Sequence, residues 1–160
     1  MNLKDIDLVM LDGSTKKFGE IQGKVTMVVN VASRCGLTPQ YETLEAMQKK
    51  YEAQGFTVIG VPSNQFFQEL KTSEDISDYC STTWGVTFPM TEKVKLNGKN
   101  AHPLYKELTK AEDAEGHAGN VKWNFEKFLV LADGEVMRFR PTTKPDAAPI
   151  IEAIEANLAR

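Results

Sequence analysis

The stretch that most constrains this chain is 25–61, where an apolar run, Val25-Thr26-Met27-Val28-Val29-Asn30-Val31, gives way to a polar turn, a helical pattern and a second apolar run. A short run of β-branched residues suits a buried strand. Beyond Pro39 the apolar positions Tyr41, Leu44, Met47 and Tyr51 recur at spacings of three and four, which predicts a helix over 40–54 closed by Gly55. Phe56-Thr57-Val58-Ile59-Gly60-Val61 then reads as a second buried strand, ended by Pro62. Strand, helix and strand over this length predict a right-handed crossover joining two parallel strands.

The turn between strand and helix is Ala32-Ser33-Arg34-Cys35-Gly36-Leu37-Thr38-Pro39. A thiol just ahead of a helix faces unpaired backbone N–H groups and the positive end of the helix dipole, both of which favour the thiolate. Arg34 adds a cation next door, so Cys35 is a candidate nucleophile. A solitary cysteine is more often a small buried hydrophobe. A polar, glycine-containing turn argues instead for exposure and reactivity. Thr38 stands where a two-cysteine redox motif would place its second thiol, which excludes dithiol exchange within one turn.

A length of 160 residues suits one domain over 1–160. With 41% hydrophobic and 26% charged residues it reads as an ordinary soluble globule, and 19 basic against 22 acidic side chains, without a basic stretch, disfavour nucleic-acid or anionic-membrane binding. Residues 1–7 have no apolar core of signal-peptide length and no run elsewhere could span a membrane, so a cytoplasmic location is expected. A reducing cytoplasm disfavours a permanent bridge between Cys35 and Cys80; a pairing of the two would be transient and catalytic. Cys35, Cys80, His102 and His117 are too scattered for a zinc spacing, and neither metal nor cofactor is expected.

Before and after the crossover the pattern changes. The segment 6–11 leading into Asp12-Gly13 predicts a leading hairpin. The loop 63–71 lies at the carboxyl end of the second parallel strand, where sites assemble. Thr72 and Asp75 predict a helix start, with Ile76, Tyr79 and Cys80 on one face and a stop near Gly85. Residues 86–90 and 94–96 read as extended, 102–108 as a short helix opened by His102-Pro103, and 109–120 as polar and unpatterned. Apolar segments flank Asp133-Gly134, the strongest hairpin signal present, and Ile150, Ile151, Ile154 and Leu158 share a face of a final helix. Hairpin, βαβ, helix, antiparallel hairpin and helix together predict an α/β, thioredoxin-like fold: a mixed central sheet flanked by helices, with an N-terminal β-hairpin.

Four segments, in order along nearly the whole chain, resemble the glutathione peroxidases: Asn30-Val31-Ala32-Ser33-Arg34-Cys35-Gly36-Leu37-Thr38, Pro62-Ser63-Asn64-Gln65-Phe66, Gly85-Val86-Thr87-Phe88-Pro89-Met90, and Lys122-Trp123-Asn124-Phe125-Glu126-Lys127-Phe128-Leu129-Val130. The similarity is to the non-selenium, cysteine-containing bacterial branch of the thioredoxin-dependent type. The resemblance implies a peroxidase, an antioxidant enzyme reducing hydrogen peroxide and organic hydroperoxides, with Cys35 as peroxidatic residue beside a Gln, a Trp and an Asn. Trp123 and Asn124 match that motif. For the glutamine the resemblance implies Gln68, with Gln65 as the fallback, because the loop is one residue shorter than in relatives and Leu70-Lys71 replaces Pro-Gly. Amide and indole N–H groups suit this chemistry, since they can stabilise a thiolate and a departing oxygen while resisting oxidation. Without the motif, Trp123 would read as a core residue and Gln68 as a solvated one.

The resemblance also implies that Cys80 resolves a Cys35 sulfenic acid as a disulfide recycled by thioredoxin, although its place on an apolar helix face equally marks a core residue. A one-cysteine, glutathione-dependent peroxidase is the alternative; no cluster of basic residues marks a glutathione site in the sequence. Tetrameric relatives carry a longer insertion near 108–122, so a monomer is implied. A Cys–His hydrolase using His102 or His117 would need an oriented base that nothing in the sequence supplies. A thioredoxin-like binding module with an incidental cysteine is the rival outside enzymology.

Overall fold

In the computed structural model, which describes residues 2–160, the chain runs β1 (Asp7–Val9), β2 (Thr15–Lys17), α1 (Phe18–Ile21), β3 (Val25–Val31), α2 (Gln40–Tyr51), β4 (Phe56–Pro62), α3 (Ser73–Tyr79), α4 (Pro103–Leu108), β5 (Lys127–Leu131), β6 (Val136–Phe139) and α5 (Ala148–Leu158). The sheet order is β4-β3-β5-β6: β3 is parallel to β4 and antiparallel to β5, and β5 is antiparallel to β6. β1 and β2 form the separate leading hairpin. This is the thioredoxin-like arrangement that the element order predicts.

β3 is central, and all of its residues are buried, which explains its unbroken apolar character. Val25, Met27, Val29 and Val31 pack under α2, α3 and α5, whereas Val28 on the opposite face meets Phe18 and the α4 residues Leu104, Tyr105 and Leu108. Tyr41, Leu44, Met47 and Tyr51 are the buried stripe of α2, each contributing about 1.5–3 kcal/mol of apolar burial. A 3₁₀ turn, Glu52–Gln54, extends this helix to Gly55, whose φ of 106° is the left-handed cap read from the sequence.

Residues 86–90 and 94–96, read as extended, join no strand ladder; a short bridge lays Met90 against Gly60, through Gly60 N–H to Pro89 O and Thr91 N–H to Gly60 O, both 2.9 Å. Pro89 lacks the donor a longer ladder would need. Residues 109–120, unpatterned in sequence, are tied down from β6. Arg138 and Glu126 form a fully buried ion pair, Arg138 also donates to the carbonyls of Ala111 and Asn120, and Arg140 bridges Glu126 and Asp113.

Candidate active site

Cys35 follows β3 on the turn that opens α2. Thr38 closes this turn: its hydroxyl accepts the Cys35 N–H at 3.0 Å and donates to Ala32 O at 2.9 Å, while the Thr38 N–H reaches Cys35 O at 3.0 Å. The Leu37 N–H donates to the Cys35 sulfur at 3.4 Å. The thiol is thereby folded back onto the core and is only 8% exposed, between exposed Arg34 and Gly36. This corrects the expectation of an exposed thiol, and the Thr38 turn is the reason.

The loop after β4 approaches from one side. Gln68 O accepts the Arg34 N–H at 2.9 Å, which pins its backbone to the residue preceding Cys35. Its side-chain Oε1 accepts the Asn124 Nδ2–H at 3.0 Å, leaving the amide N–H₂ of Gln68 as a free donor. Gln65 is occupied elsewhere, accepting the Leu96 N–H at 3.2 Å. The fold therefore joins Gln68, not Gln65, to Asn124. Trp123 is 39% exposed, with its ring 5.2 Å from that of Phe66, so it is not a core residue.

Two clamps hold these parts, and the sequence reading named neither as part of the site. Asn30, fully buried in β3, accepts the Glu126 N–H at 3.1 Å and donates to Trp123 O at 3.1 Å, while its own carbonyl takes the Phe125 N–H at 2.6 Å. One asparagine thus fixes the segment carrying Trp123 and Asn124, and Phe125 turns through a positive φ of 66° there. Its signal was a lone polar residue inside an apolar strand. The second clamp is Glu69, whose Oε1 accepts from the Ser33 N–H (3.1 Å), the Ser33 hydroxyl (2.5 Å) and the Leu70 N–H (2.8 Å). Burial holds the Glu69 carboxyl above its ordinary range against those donors.

Cys80 stands on another element, within the core cluster that also contains Cys35 and Tyr41. It ends α3, where a π-helical turn, Cys80–Trp84, continues the chain to Gly85. It is 2% exposed and unbonded to Cys35. Burial pushes its thiol up to about 11. Tyr41 of α2 packs in the same cluster, its ring stacked on that of Trp84 in this turn with centroids 6.2 Å apart.

A groove of about 570 Å³ adjoins the Gln68 loop, lined by Asn64, Gln65, Phe67, Lys93, Lys95 and Lys99 among others. Lys93, Lys95 and Lys99, which fall within seven consecutive residues, make a basic cluster here that the sequence reading did not single out, and the fold sets it beside the 88% exposed Phe67. Among the described residues no group of three or more His, Cys, Asp and Glu could hold a metal ion. No helix among them is long and apolar enough to cross a membrane.

A thioredoxin-like fold with a cysteine on the turn after its central strand, and with Gln68 and Asn124 bonded to each other on two loops of which one is tied to that turn, is the frame of a thiol-dependent oxidoreductase. The chain belongs to the glutathione peroxidase family, whose family model matches residues 3–109. It is 46% identical to a glutathione peroxidase of Lactococcus lactis subsp. cremoris, with 91% of this chain and 94% of that protein covered. It is 43% identical to the thioredoxin/glutathione peroxidase BtuE of Escherichia coli, covering 94% and 93%. The crystal structure of Trgpx in apo form superposes with a TM-score of 0.77 at 36% identity, covering 100% of this chain and 97% of that one. The protein is accordingly a peroxidase, reducing hydroperoxides through a thiol, as the resemblance implied.

Proposed function

We propose that Cys35 is the peroxidatic thiol, and that Gln68, Asn124 and Trp123 serve its reaction. Attack of the Cys35 thiolate on a hydroperoxide forms an S–O bond and breaks the O–O bond; the departing oxygen takes a proton and leaves as alcohol or water. The observation that carries this reading is the 3.0 Å bond from Asn124 to Gln68 Oε1. It orients the glutamine so that its N–H₂, anchored beside the Cys35 turn, is available to the sulfur or the leaving oxygen. Asn124 thus acts through Gln68, and the Trp123 indole supplies a further donor at the surface.

Cys80 then resolves the sulfenic acid. Its packed position requires the π-helical turn and the end of α3 to open, a local event costing less than global unfolding. Thioredoxin reduces the resulting disulfide. One observation favours a second reading: the groove with Lys93, Lys95 and Lys99 offers cations to glutathione, an anionic tripeptide, and would suit one-cysteine turnover. The enzyme is further proposed to act as a cytoplasmic monomer, supported by its short 109–121 connection.

Peroxide consumption measured in parallel with the thioredoxin system and with glutathione tests these steps. Cys35→Ser should be inactive with both, and Cys80→Ser should keep the first oxidation but lose thioredoxin-supported turnover while becoming prone to overoxidation at Cys35. Substantial turnover by Cys35→Ser would sink the peroxidatic assignment. Support by glutathione alone, unchanged in Cys80→Ser, would install the second reading.

A further inference from the structure

Given Cys35 as the peroxidatic thiol, we propose that the groove beside the Gln68 loop is a subsite for long-chain hydroperoxides bearing a carboxylate: Lys93, Lys95 and Lys99 take the carboxylate, and Phe67 the apolar chain. Both walls of this groove are fixed by the fold. One is the loop after β4, where the Phe67 N–H donates to Asn64 O at 3.0 Å. The other is the segment 93–100, held by the Val94 N–H on Pro62 O at 3.0 Å and by the His102 N–H on Lys95 O at 2.9 Å. Gln65 ties the two together, its Oε1 accepting the Leu96 N–H at 3.2 Å. The space between them, about 570 Å³, falls in the range of small-molecule sites.

Core packing does not explain Phe67. Its φ of 60° is a strained, left-handed conformation for an aromatic residue, and its ring is 88% exposed, so strain is borne here to present an apolar ring to solvent. The residues on either side belong to the reaction centre: Phe66 packs on Trp123, and Gln68 is joined to Asn124 and, through its carbonyl, to the Arg34 N–H beside Cys35. A chain laid on Phe67 therefore leads towards the reacting thiol. The charge of the lining is one-sided. Among the described residues lysines but no Asp or Glu line the groove, and none of the three lysines is held in a salt bridge. Such a surface attracts an anion. The exposed ring then selects among anions, because glutathione has no long apolar segment to lay on it and a fatty acyl chain has. The concave shape suits one free molecule rather than a bilayer face. In the reaction one hydroperoxide oxygen passes to the Cys35 sulfur as the O–O bond breaks, and the other takes a proton and leaves as the hydroxy acid. The thiol is oxidised, the hydroperoxide reduced, and the carboxylate unchanged.

The experiment is stopped-flow oxidation of the reduced protein by linoleic acid hydroperoxide, its methyl ester and hydrogen peroxide, with both lipids below their aggregation concentrations. Wild type should react with the acid about tenfold faster than with the ester at low ionic strength, an advantage that shrinks as salt rises. The combined Lys93→Gln, Lys95→Gln and Lys99→Gln variant should lose that advantage and keep its rate with hydrogen peroxide. Phe67→Asn, whose new side chain tolerates the left-handed backbone, should melt no lower than wild type and slow severalfold with acid and ester alike. Equal rates for acid and ester in wild type, an advantage that survives loss of the lysines, or an unslowed Phe67→Asn would overturn the subsite while leaving Cys35 in place. A lysine variant defective only in re-reduction by glutathione would also overturn it, giving the groove to that tripeptide. Lysine-dependent binding to phosphatidylglycerol vesicles without any preference for the free acid would do the same, making the groove a membrane contact. A Cys35→Ser control that still consumes hydrogen peroxide would refute the reading of Cys35, and the subsite with it.

Discussion

Replacing Asn30 by alanine should weaken the fold and the site together. The side chain makes two hydrogen bonds of 3.1 Å, and its removal leaves the Glu126 N–H and the Trp123 carbonyl without their partner inside the protein. A stranded buried group costs about 1–3 kcal/mol, so the pair together should cost roughly 3 kcal/mol. For a domain of this size that lowers the melting temperature by about 6–12 °C, out of a total stability of about 5–15 kcal/mol. The same loss frees the segment that carries Trp123 and Asn124, and Asn124 is what orients Gln68. Oxidation of Cys35 by peroxide, followed by stopped flow on the folded variant, should slow by about tenfold, the equivalent of one lost hydrogen bond. Val28→Ala is the control, because Val28 is a fully buried apolar residue on the same face of β3. It should lose a comparable amount of stability through its cavity, with the oxidation rate unchanged. Equal slowing in both variants, or an unslowed Asn30→Ala, would show that the asparagine does not hold the site.

Gln68→Ala should slow peroxide oxidation of Cys35 more than Gln65→Ala, since only Gln68 is joined to Asn124; stopped-flow traces in the reverse order would transfer the role to Gln65. Lys127 is fully buried, donates to Pro141 O and Thr143 O, and is pushed down by burial from 10.5 to about 7. Because the unfolded chain then binds more protons across that window, stability should rise from pH 7 towards 10.5, by an amount on the order of 5 kcal/mol. Chemical denaturation across this range should show the rise flattened in Lys127→Met, and an unchanged slope would refute the assignment. Glu69 behaves oppositely in sign: its raised carboxyl favours the fold below its ordinary 4.5, and that contribution fades as pH climbs through the folded value. Melting curves of wild type minus Glu69→Gln should show this decline, and parallel curves would exclude it.

Local pattern carried the elements of this protein a long way. The βαβ unit was readable because strand and helix periodicities switch at Cys35 and because Gly55 and Pro62 punctuate them. The Asp133-Gly134 hairpin, the His102-Pro103 helix start and the Thr72 cap were readable for the same reason: each rests on groups only a few residues apart, as the His102 side chain accepting the Leu104 N–H shows. Family motifs then named Cys35, Gln68, Trp123 and Asn124. What the chain alone could not express was anything made between distant segments. Whether Gln65 or Gln68 meets Asn124 depends on how a loop after β4 packs against one before β5, and sequence spacing does not encode that contact. The Thr38 turn is itself local, but the burial of Cys35 depends on the core of distant segments against which that turn is laid. The clamp from Asn30 to the Trp123 segment spans strands paired only in the folded sheet. The ordering of 109–120 depends on Arg138 of β6 and on Arg140 just beyond it, and the stacking of Tyr41 on Trp84 on two helical segments brought together by the core. Short-range hydrogen bonds and periodicity are properties of a segment, whereas burial and long-range pairing exist only once the sheet brings the segments together.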